Sequence, residues 1–532
     1  MQFNLNRREF IGGAAAGLAM AGCAAGPRRA GLADHKIRLA VAGVMGKGFS
    51  DWMPMVKSGL AEVVAFFDAD ANTVKKAAES IANEKRRGKL PADFMDPMKV
   101  PFYHDYRKML DDADKLGIEA MTVSTSDHMH APIAIRAMKM GIHVYVQKPL
   151  VRTLWEAKYF YDTAKANGVC TQMGNQGSGG NGFRRGVELL QSGILGDVKE
   201  VHVWTNRPVW PQGLNVEKYV ASRTTGDKIP QGFNWDIWLG TAKERPFLDM
   251  YPAGTDVYDP WKLGKHVYAP FTWRGFFDFG AGAFGDMACH TMNLPFRGLE
   301  LGKVTAAECT MIDSKNDIAY PLKSVVKLTY AERESNIRKG VKLPAVTLFW
   351  YDGQVKPSKD LMPQITALDK FKGKVPETGC LIVGSKGILC SCNDYGQESY
   401  IALNGEKVAK DTRQHEACRT DVVKPWIPRC AGVAAGGMTA QGKGMGAASL
   451  SADGHYIEFL TAINGTSAKF DETKSRCYSD VEYSIPMMEA ILVGTVAQRV
   501  PGKLNWCTKT QQFDCPKANE FIKPFIRKGF EF

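Results

Sequence analysis

The sequence has no CxxC pair among its twelve cysteines. Only Cys390 and Cys392 stand close together, which argues against zinc ribbons and iron–sulfur clusters and leaves no metal motif. Nor is there an apolar run of the roughly 20 residues needed to cross a bilayer. The surplus of positive charge, +12 overall, is spread along the chain with no nucleic-acid motif beside it, so it points to solubility or to attraction for anionic polymers. What is there, 532 residues of which 45% are hydrophobic and 23% charged, is ordinary soluble composition with room for two domains.

The N-terminus stands apart. Arg7 and Arg8 precede a small-residue apolar stretch, Ile11 to Gly22, and then Cys23. That order reads as a twin-arginine export signal over residues 1–33, with lipid attachment expected at Cys23; a frayed helix is the plainer alternative. The expected location is periplasmic, or anchored to the membrane as a lipoprotein. Export permits disulfides, Cys418 with Cys430 being one conceivable pair.

From residue 34 to 168 the pattern is strand, turn, helix, repeated. IRLAVAGV (37–44) is an apolar run of the kind buried on both faces of a parallel sheet, and it enters the turn GVMGKG (43–48). EVVAFFD then ends at Asp68, twenty residues beyond Gly48. Dinucleotide sites need this order: glycines let the backbone approach a pyrophosphate at a helix N-terminus, and an acid ending the second strand accepts ribose hydroxyls. The turn departs from GxGxxG, since Met45 holds the middle glycine's place with Gly46 beside it. Gly43, Met45, Gly46, Lys47, Gly48 and Asp68 are the candidate cofactor contacts, with phosphate expected at Gly46 and Lys47. Asp68 would repel a 2′-phosphate, so NAD is expected rather than NADP. IEAMTVST (118–125) and HVYVQKPL (143–150) are further strands whose ends bring Thr125, His130 and Lys148 to the same cleft. A merely structural strand-to-helix turn is the competing reading of the glycines alone.

Residues 169–532 change character. EVHVWTNRPVW (200–210) and AVTLFWYDG (345–353) read as long strands, and about 395–452 reads as a flexible glycine-rich insertion. In GDMACHTMN (285–293), Asp286 and His290 lie four apart and share a helix face. Asp286 can be a cap and His290 a core histidine, or the pair can be chemical. Trp204, Trp210, Trp235, Trp238, Trp261 and Trp273, with Tyr251, Tyr258 and Tyr268, are interleaved with Asn206, Arg207 and Lys262. Aromatic faces suit the C–H face of a sugar while polar groups take its hydroxyls; at most half of these rings are expected in a site, the rest in the core.

The ordered set of the GVMGKG turn, TSDHMH, VQKP, MGNQG (173–177), ILGDVKEVHVW (194–204), WRGFFDFGAGAFGDMACH (273–290) and NWCTKTQQF (505–513) resembles the glucose–fructose oxidoreductase and inositol dehydrogenase family, Gfo/Idh/MocA. The resemblance implies an α/β fold: an N-terminal Rossmann domain, then a C-terminal α+β domain with a large open mixed sheet whose face is buried in a homo-oligomer, dimer or tetramer. It brings Lys148, Asp286 and His290 to one active site, adds Asn175 and Gln176 to the cofactor contacts, and points to Arg207, Trp210, Trp273 and Arg274 for a small carbohydrate or glycoside. Departures are Gln147 for the family's glutamate, Ser126 for a proline and Cys507 for an aspartate. Hydride leaves a carbinol carbon only as its hydroxyl proton is removed, so a base must touch that oxygen while a cation steadies it. Whether the base is Lys148 or His290 stays open at this stage.

The chain also resembles NAD-dependent α-N-acetylgalactosaminidases, in which a transient 3-keto sugar permits glycoside cleavage. The expected function is an exported oxidoreductase with tightly bound NAD that oxidises a sugar hydroxyl at C3, recycles the hydride and cleaves a glycoside, Tyr268 and Tyr258 being candidate bases for the step after oxidation. A simple sugar or polyol dehydrogenase and a non-catalytic carbohydrate-binding scaffold are the alternatives.

Overall fold

A computed structural model describes residues 35–257, 266–429, 445–464 and 477–532. The expected export signal, Cys23, Tyr258, Trp261, Lys262 and Cys430, and with it the Cys418–Cys430 pairing, lie outside the described residues.

Strands β1 (Ile37–Ala42), β2 (Ala61–Phe67), β3 (Phe102–Tyr103), β4 (Ala120–Val123), β5 (His143–Val146) and β6 (Thr171–Met173) form one sheet in the order β3-β2-β1-β4-β5-β6. Every pair is parallel. β4 is buried at all four positions and β1 at five of six, as a sheet covered on both faces requires. The strand order reverses between β1 and β4, so a crevice opens at their carboxyl ends.

Helices α1 (Lys47–Lys57), α2 (Asn72–Arg86), α3 (His130–Lys139) and α4 (Leu154–Asn167) connect these strands. α4 begins with a capping box: the Thr153 hydroxyl accepts from the Glu156 amide, and Glu156 accepts from the Thr153 amide at 2.9 Å. That box fixes the segment running back to Lys148.

The second sheet has ten strands. In chain order the strands after β6 are β7 (Val198–Trp204), β8 (Val304–Ile312), β9 (Ser324–Tyr330), the two-residue pair β10 (Arg333–Glu334) and β11 (Lys342–Leu343), β12 (Val346–Tyr351), β13 (Gly379–Gly384), β14 (Gly387–Ser391), β15 (Ser399–Leu403), β16 (Lys410–Asp411), β17 (Lys503–Cys507) and β18 (Gln512–Phe513). The sheet order is β16-β15-β14-β13-β7-β12-β9-β8-β17-β18, and β10 pairs only with β11. β7 and β12 are parallel and their neighbours antiparallel, the mixed sheet that was expected. β9 and β12 alternate buried and half-buried residues, so one face carries the core.

α5 (Asn181–Gln191), α6 (Gly282–Thr291), α7 (Met445–Ile463) and α8 (Val481–Ala497) complete the molecule. α8 packs against α4, α6 and β8, and one apolar core runs from Ala40 and Val123 through Ile491 to Leu348. Phe284 of α6 stacks on Trp350 of β12, ring centroids 4.6 Å apart.

Two expectations about organisation are corrected. The first sheet does not end at residue 168, because β6 completes it, and its other face takes Tyr456, Phe459 and Leu460 from α7. Within the stretch expected as a flexible insertion, about 395–452, residues 399–403 and 410–411 are strands of the large sheet, β15 pairing with β14 in the register Leu389↔Ile401, and a helix begins at 445; the glycine-rich residues 430–444 lie outside the described residues.

Trp350 has no exposure, so Trp350→Ala should lower the urea midpoint by the equivalent of about 3–5 kcal/mol, the range for a lost core aromatic. A midpoint within experimental error of wild type would show that Phe284, and α6 with it, is held by other contacts.

Candidate active site

β1 passes into a turn at Gly43, which has φ 86° and donates its N–H to the Phe67 carbonyl at 2.9 Å. A Cβ there would stand 2.5 Å from the Ser124 carbonyl oxygen, and one at Gly48 would stand 1.9 Å from that of Gly43. Glycine is demanded by this packing of turn, helix and strand. Gly46, at φ 64°, precedes α1, and a Cβ there would meet nothing within 4 Å, so the backbone at the helix N-terminus is open to the crevice. Asp68 ends β2 and accepts from the amides of Val44 at 2.9 Å and Asp70 at 3.0 Å; burial raises its pKa against those two donors. The turn, its open glycine and the aspartate fit a dinucleotide, with ribose hydroxyls at Asp68 and pyrophosphate along Gly46.

Lys47 lines the crevice, but its ammonium is bound to Asp51 one turn along α1 and to the Tyr456 hydroxyl at 3.0 Å. Asp51 has no exposure. It also accepts from Tyr456 Oη at 2.7 Å, Ser124 Oγ at 2.7 Å and Gln147 Nε2 at 3.1 Å. This explains Gln147: a glutamate there would set two carboxylates together in a buried place, whereas the amide donates. Asp51 was missed from sequence; its signal is a carboxylate four residues from Lys47, flanked by Trp52, Met53 and Met55.

The open cavity has a volume of about 1050 Å³. Of the expected cofactor residues, Gly43, Met45, Gly46, Lys47, Asp68, Thr125, His130, Lys148 and Gln176 line it. Gly48 lies beneath the turn. Asn175 is fully buried, its amide nitrogen 3.5 Å from the Cys289 carbonyl and its amide oxygen without a partner among the described residues; neither Gly48 nor Asn175 lines the cavity. His130 Nδ1 faces the Pro149 carbonyl at 2.8 Å and Nε2 the Thr125 carbonyl at 3.1 Å. Burial pushes its pKa down to about 4, so it is a neutral tie between two loops.

Lys148, Asp286 and His290 come together. Lys148 Nζ donates to Asp286 Oδ1 at 2.8 Å and to its carbonyl at 3.2 Å, and Arg274 Nε donates to the same Oδ1 at 3.1 Å. Burial opposes ionisation of Asp286, yet the Lys148 and Arg274 cations outweigh it and hold the carboxyl well below its usual range. The capping role considered for Asp286 is not found: Ala281 precedes α6, and the aspartate is the fifth residue of that helix. His290 is 6% exposed, and its Nδ1 has no hydrogen-bond partner among the described residues. Burial, then the Lys148 charge, hold the imidazole well below its usual pKa; it is neutral and able to take a proton. Tyr395 meets its edge at 4.9 Å between centroids and lines the cavity, a site residue that sequence gave no means to find, since it lies 105 positions further along.

All four expected substrate residues, Arg207, Trp210, Trp273 and Arg274, line the cavity, with Trp238, Phe233 and Phe271. Arg274 lies over both Phe271 and Trp273, 4.3 Å from each ring centroid. Other aromatics belong to cores: Trp204 beside Leu381, and Tyr251, Trp235 and Tyr268 in a cluster with Phe276 and Phe279. Tyr268 is therefore not a base in the crevice. It is 1% exposed, stacks on Trp235 at 5.4 Å, and burial pushes its phenol up to about 12.

Residues 37–175 match the model of an oxidoreductase family with an NAD-binding Rossmann fold, Gfo/Idh/MocA. Among curated proteins, the chain is 30% identical over 164 residues to glycosyl hydrolase family 109 protein 2 of Akkermansia muciniphila, covering 31% of this chain and 32% of that protein. It is 28% identical over 218 residues to the alpha-N-acetylgalactosaminidase of Shewanella oneidensis, covering 37% and 44%. The alignments thus span a third to under half of those relatives. Among solved structures, an inositol dehydrogenase homolog from Azotobacter vinelandii, complexed with NADH and myo-inositol, shares the fold at a TM-score of 0.54 and 15% identity, covering 89% of this chain and 98% of that one.

Because the folded carboxyl of Asp286 is depressed, its contribution to stability is complete above the unfolded value of about 4 and is lost as pH falls through the lower folded value. Urea unfolding from pH 7 down to pH 2 should therefore show wild type losing stability more steeply below about pH 4 than Asp286→Asn. Parallel curves would mean that Asp286 is not held as the anion.

Proposed function

Because the chain belongs, through its NAD-binding domain, to the Gfo/Idh/MocA oxidoreductase family, we propose that it is a carbohydrate oxidoreductase that keeps NAD bound, oxidises the C3 hydroxyl of a glycoside, returns the hydride and cleaves the glycosidic bond in the process. One observation carries this reading: Lys148, Asp286 and a neutral His290 with an unpartnered nitrogen share one cavity with Arg207, Trp210 and Trp273. The curated relatives named for glycoside hydrolysis support the cleavage.

NAD, when bound, supplies the hydride acceptor and donor. Asp68 and the turn at Gly46 would hold it. Lys148, anchored on Asp286, has an N–H left for the substrate oxygen and steadies the alkoxide as it forms. His290 takes the hydroxyl proton; this choice of base is supported by the commitment of Lys148 to an ion pair with Asp286, whereas the imidazole Nδ1 has no partner among the described residues. A ketone at C3 makes the C2 hydrogen acidic: as a base takes that proton, a C1–C2 double bond forms and the C1 substituent leaves with the electron pair of its C–O bond. Water then adds to the double bond, and the returned hydride restores the C3 alcohol, all without the paired carboxylates of ordinary glycosidases. Trp238, half-buried at the cavity wall beside the buried Trp210 and Trp273, offers a ring face for a sugar.

A twin-arginine route carries folded proteins, so a cofactor enclosed before export needs no external pool, and a closed redox cycle is the chemistry that such a setting favours. We place the protein in the periplasm or on a lipid anchor at Cys23 on that ground. Subunit association through the half-buried face of β9 and β12 is part of the same reading.

The purified protein should release NAD on denaturation and hydrolyse aryl glycosides without added NAD and without a lag. His290→Asn should retain the nucleotide and lose about 10²–10⁴-fold in kcat, the usual worth of a general base. Turnover that consumes stoichiometric NAD would leave a plain dehydrogenase in place of the cleavage cycle.

A further inference from the structure

The mechanism leaves a buried carboxyl of the cavity unused. Asp127 follows β4 in the sequence TSDHMH and lines the cavity, yet is 2% exposed. Its Oδ2 is buried and has no hydrogen-bond partner among the described residues. A carboxylate in that position would be a buried charge without a donor, an expensive arrangement.

The charged groups around it do not relieve this. Arg274, from the turn before α6, and Lys148, from the loop after β5, both donate to Asp286. Arg152 donates Nη1 to the Phe277 carbonyl at 2.7 Å, and its buried Nε, which has no partner among the described residues, makes no hydrogen bond to Asp127 Oδ2. Asp286 adds repulsion, and Cys289 and Tyr320, which also feel the charge of Asp127, bring no cation. Burial is the largest influence on the carboxyl and raises it well above its ordinary value, Asp286 adding to the rise while the three cations oppose it.

We propose that Asp127 recognises the carbohydrate as a neutral carboxylic acid, donating its O–H to a sugar oxygen while Lys148 and His290 handle the reacting hydroxyl. The assignment rests on the carbohydrate reading above. It gives the cavity two carboxyl groups of opposite character: Asp286 is kept ionised by the two cations that donate to it, and Asp127, buried with no donor on its Oδ2, is kept protonated. A neutral acid offers a donor at a place where the sugar needs one and adds no charge to repel the forming alkoxide. No proton is transferred from Asp127 in the cycle; ionisation at high pH would replace its donor by an acceptor and weaken binding.

Three measurements test this. The difference infrared spectrum of wild type minus Asp127→Asn at neutral pH should carry the C=O stretch of a protonated carboxyl; carboxylate bands in its place overturn the proposal whatever the substrate. With the aryl glycoside that wild type processes, Asp127→Ala should raise KM about tenfold or more with a smaller change in kcat. Asp127→Asn, which keeps a donor, should recover most of that loss and remove the alkaline fall in kcat/KM. An asparagine variant as impaired as the alanine variant, or one that keeps the alkaline fall, overturns the donor role. An alanine variant that loses bound NAD while the KM for the glycoside is unchanged also overturns it, placing the acid on the cofactor. If wild type processes no glycoside while the infrared band is present, the carbohydrate reading has failed, and the recognition role falls with it.

Discussion

The nucleotide cleft is organised around one carboxylate that never meets water. Asp51 gathers donors from four separate elements: Lys47 in its own helix, Ser124 after β4, Gln147 after β5 and Tyr456 from α7. Each donor belongs to a segment that also shapes the cavity wall. An ion taken out of water is tolerated only when its oxygens are filled, and removing one partner of such a buried pair typically costs about 3–5 kcal/mol. The three βα loops are therefore not independent; the spacing between the glycine turn, Thr125 and Lys148 is set by a shared hydrogen-bond centre lying behind them.

In front of that centre the electrostatics run the other way. Asp286 neutralises one of the two cations that bind it, so Lys148 and Arg274 together leave a net positive field at the cavity floor. That field, with burial, disfavours protonation of His290 and favours oxyanions at the cavity floor. The aromatic wall excludes water from one side and strengthens both effects.

Local order was legible in the sequence. The strand runs of the first sheet, the aspartate ending β2 and the helical spacing of Asp286 and His290 are short-range patterns, and periodicity reads those. What escaped is long-range. Tyr395 reaches His290 from beyond β14, Asp51 shows its role only when Ser124 and Tyr456 arrive, and Tyr268 looked chemical until its neighbours Trp235, Phe276 and Phe279 closed over it. Glycine-rich composition between 395 and 452 suggested a loop because β15 has pairing partners and not a pattern of its own. Asp127 was passed over for the same reason: a carboxyl in a polar loop announces nothing until its surroundings are found to lack a free donor.

The seating of α7 on the first sheet carries a consequence for biogenesis. Tyr456 and Asp51 are 405 positions apart, and Phe459 and Leu460 cover apolar surface on strands far earlier in the chain. Such a contact closes late, because a long loop must be ordered before it is rewarded. The cleft behind the glycine turn is therefore incomplete until a segment 405 positions further along the chain has packed onto it.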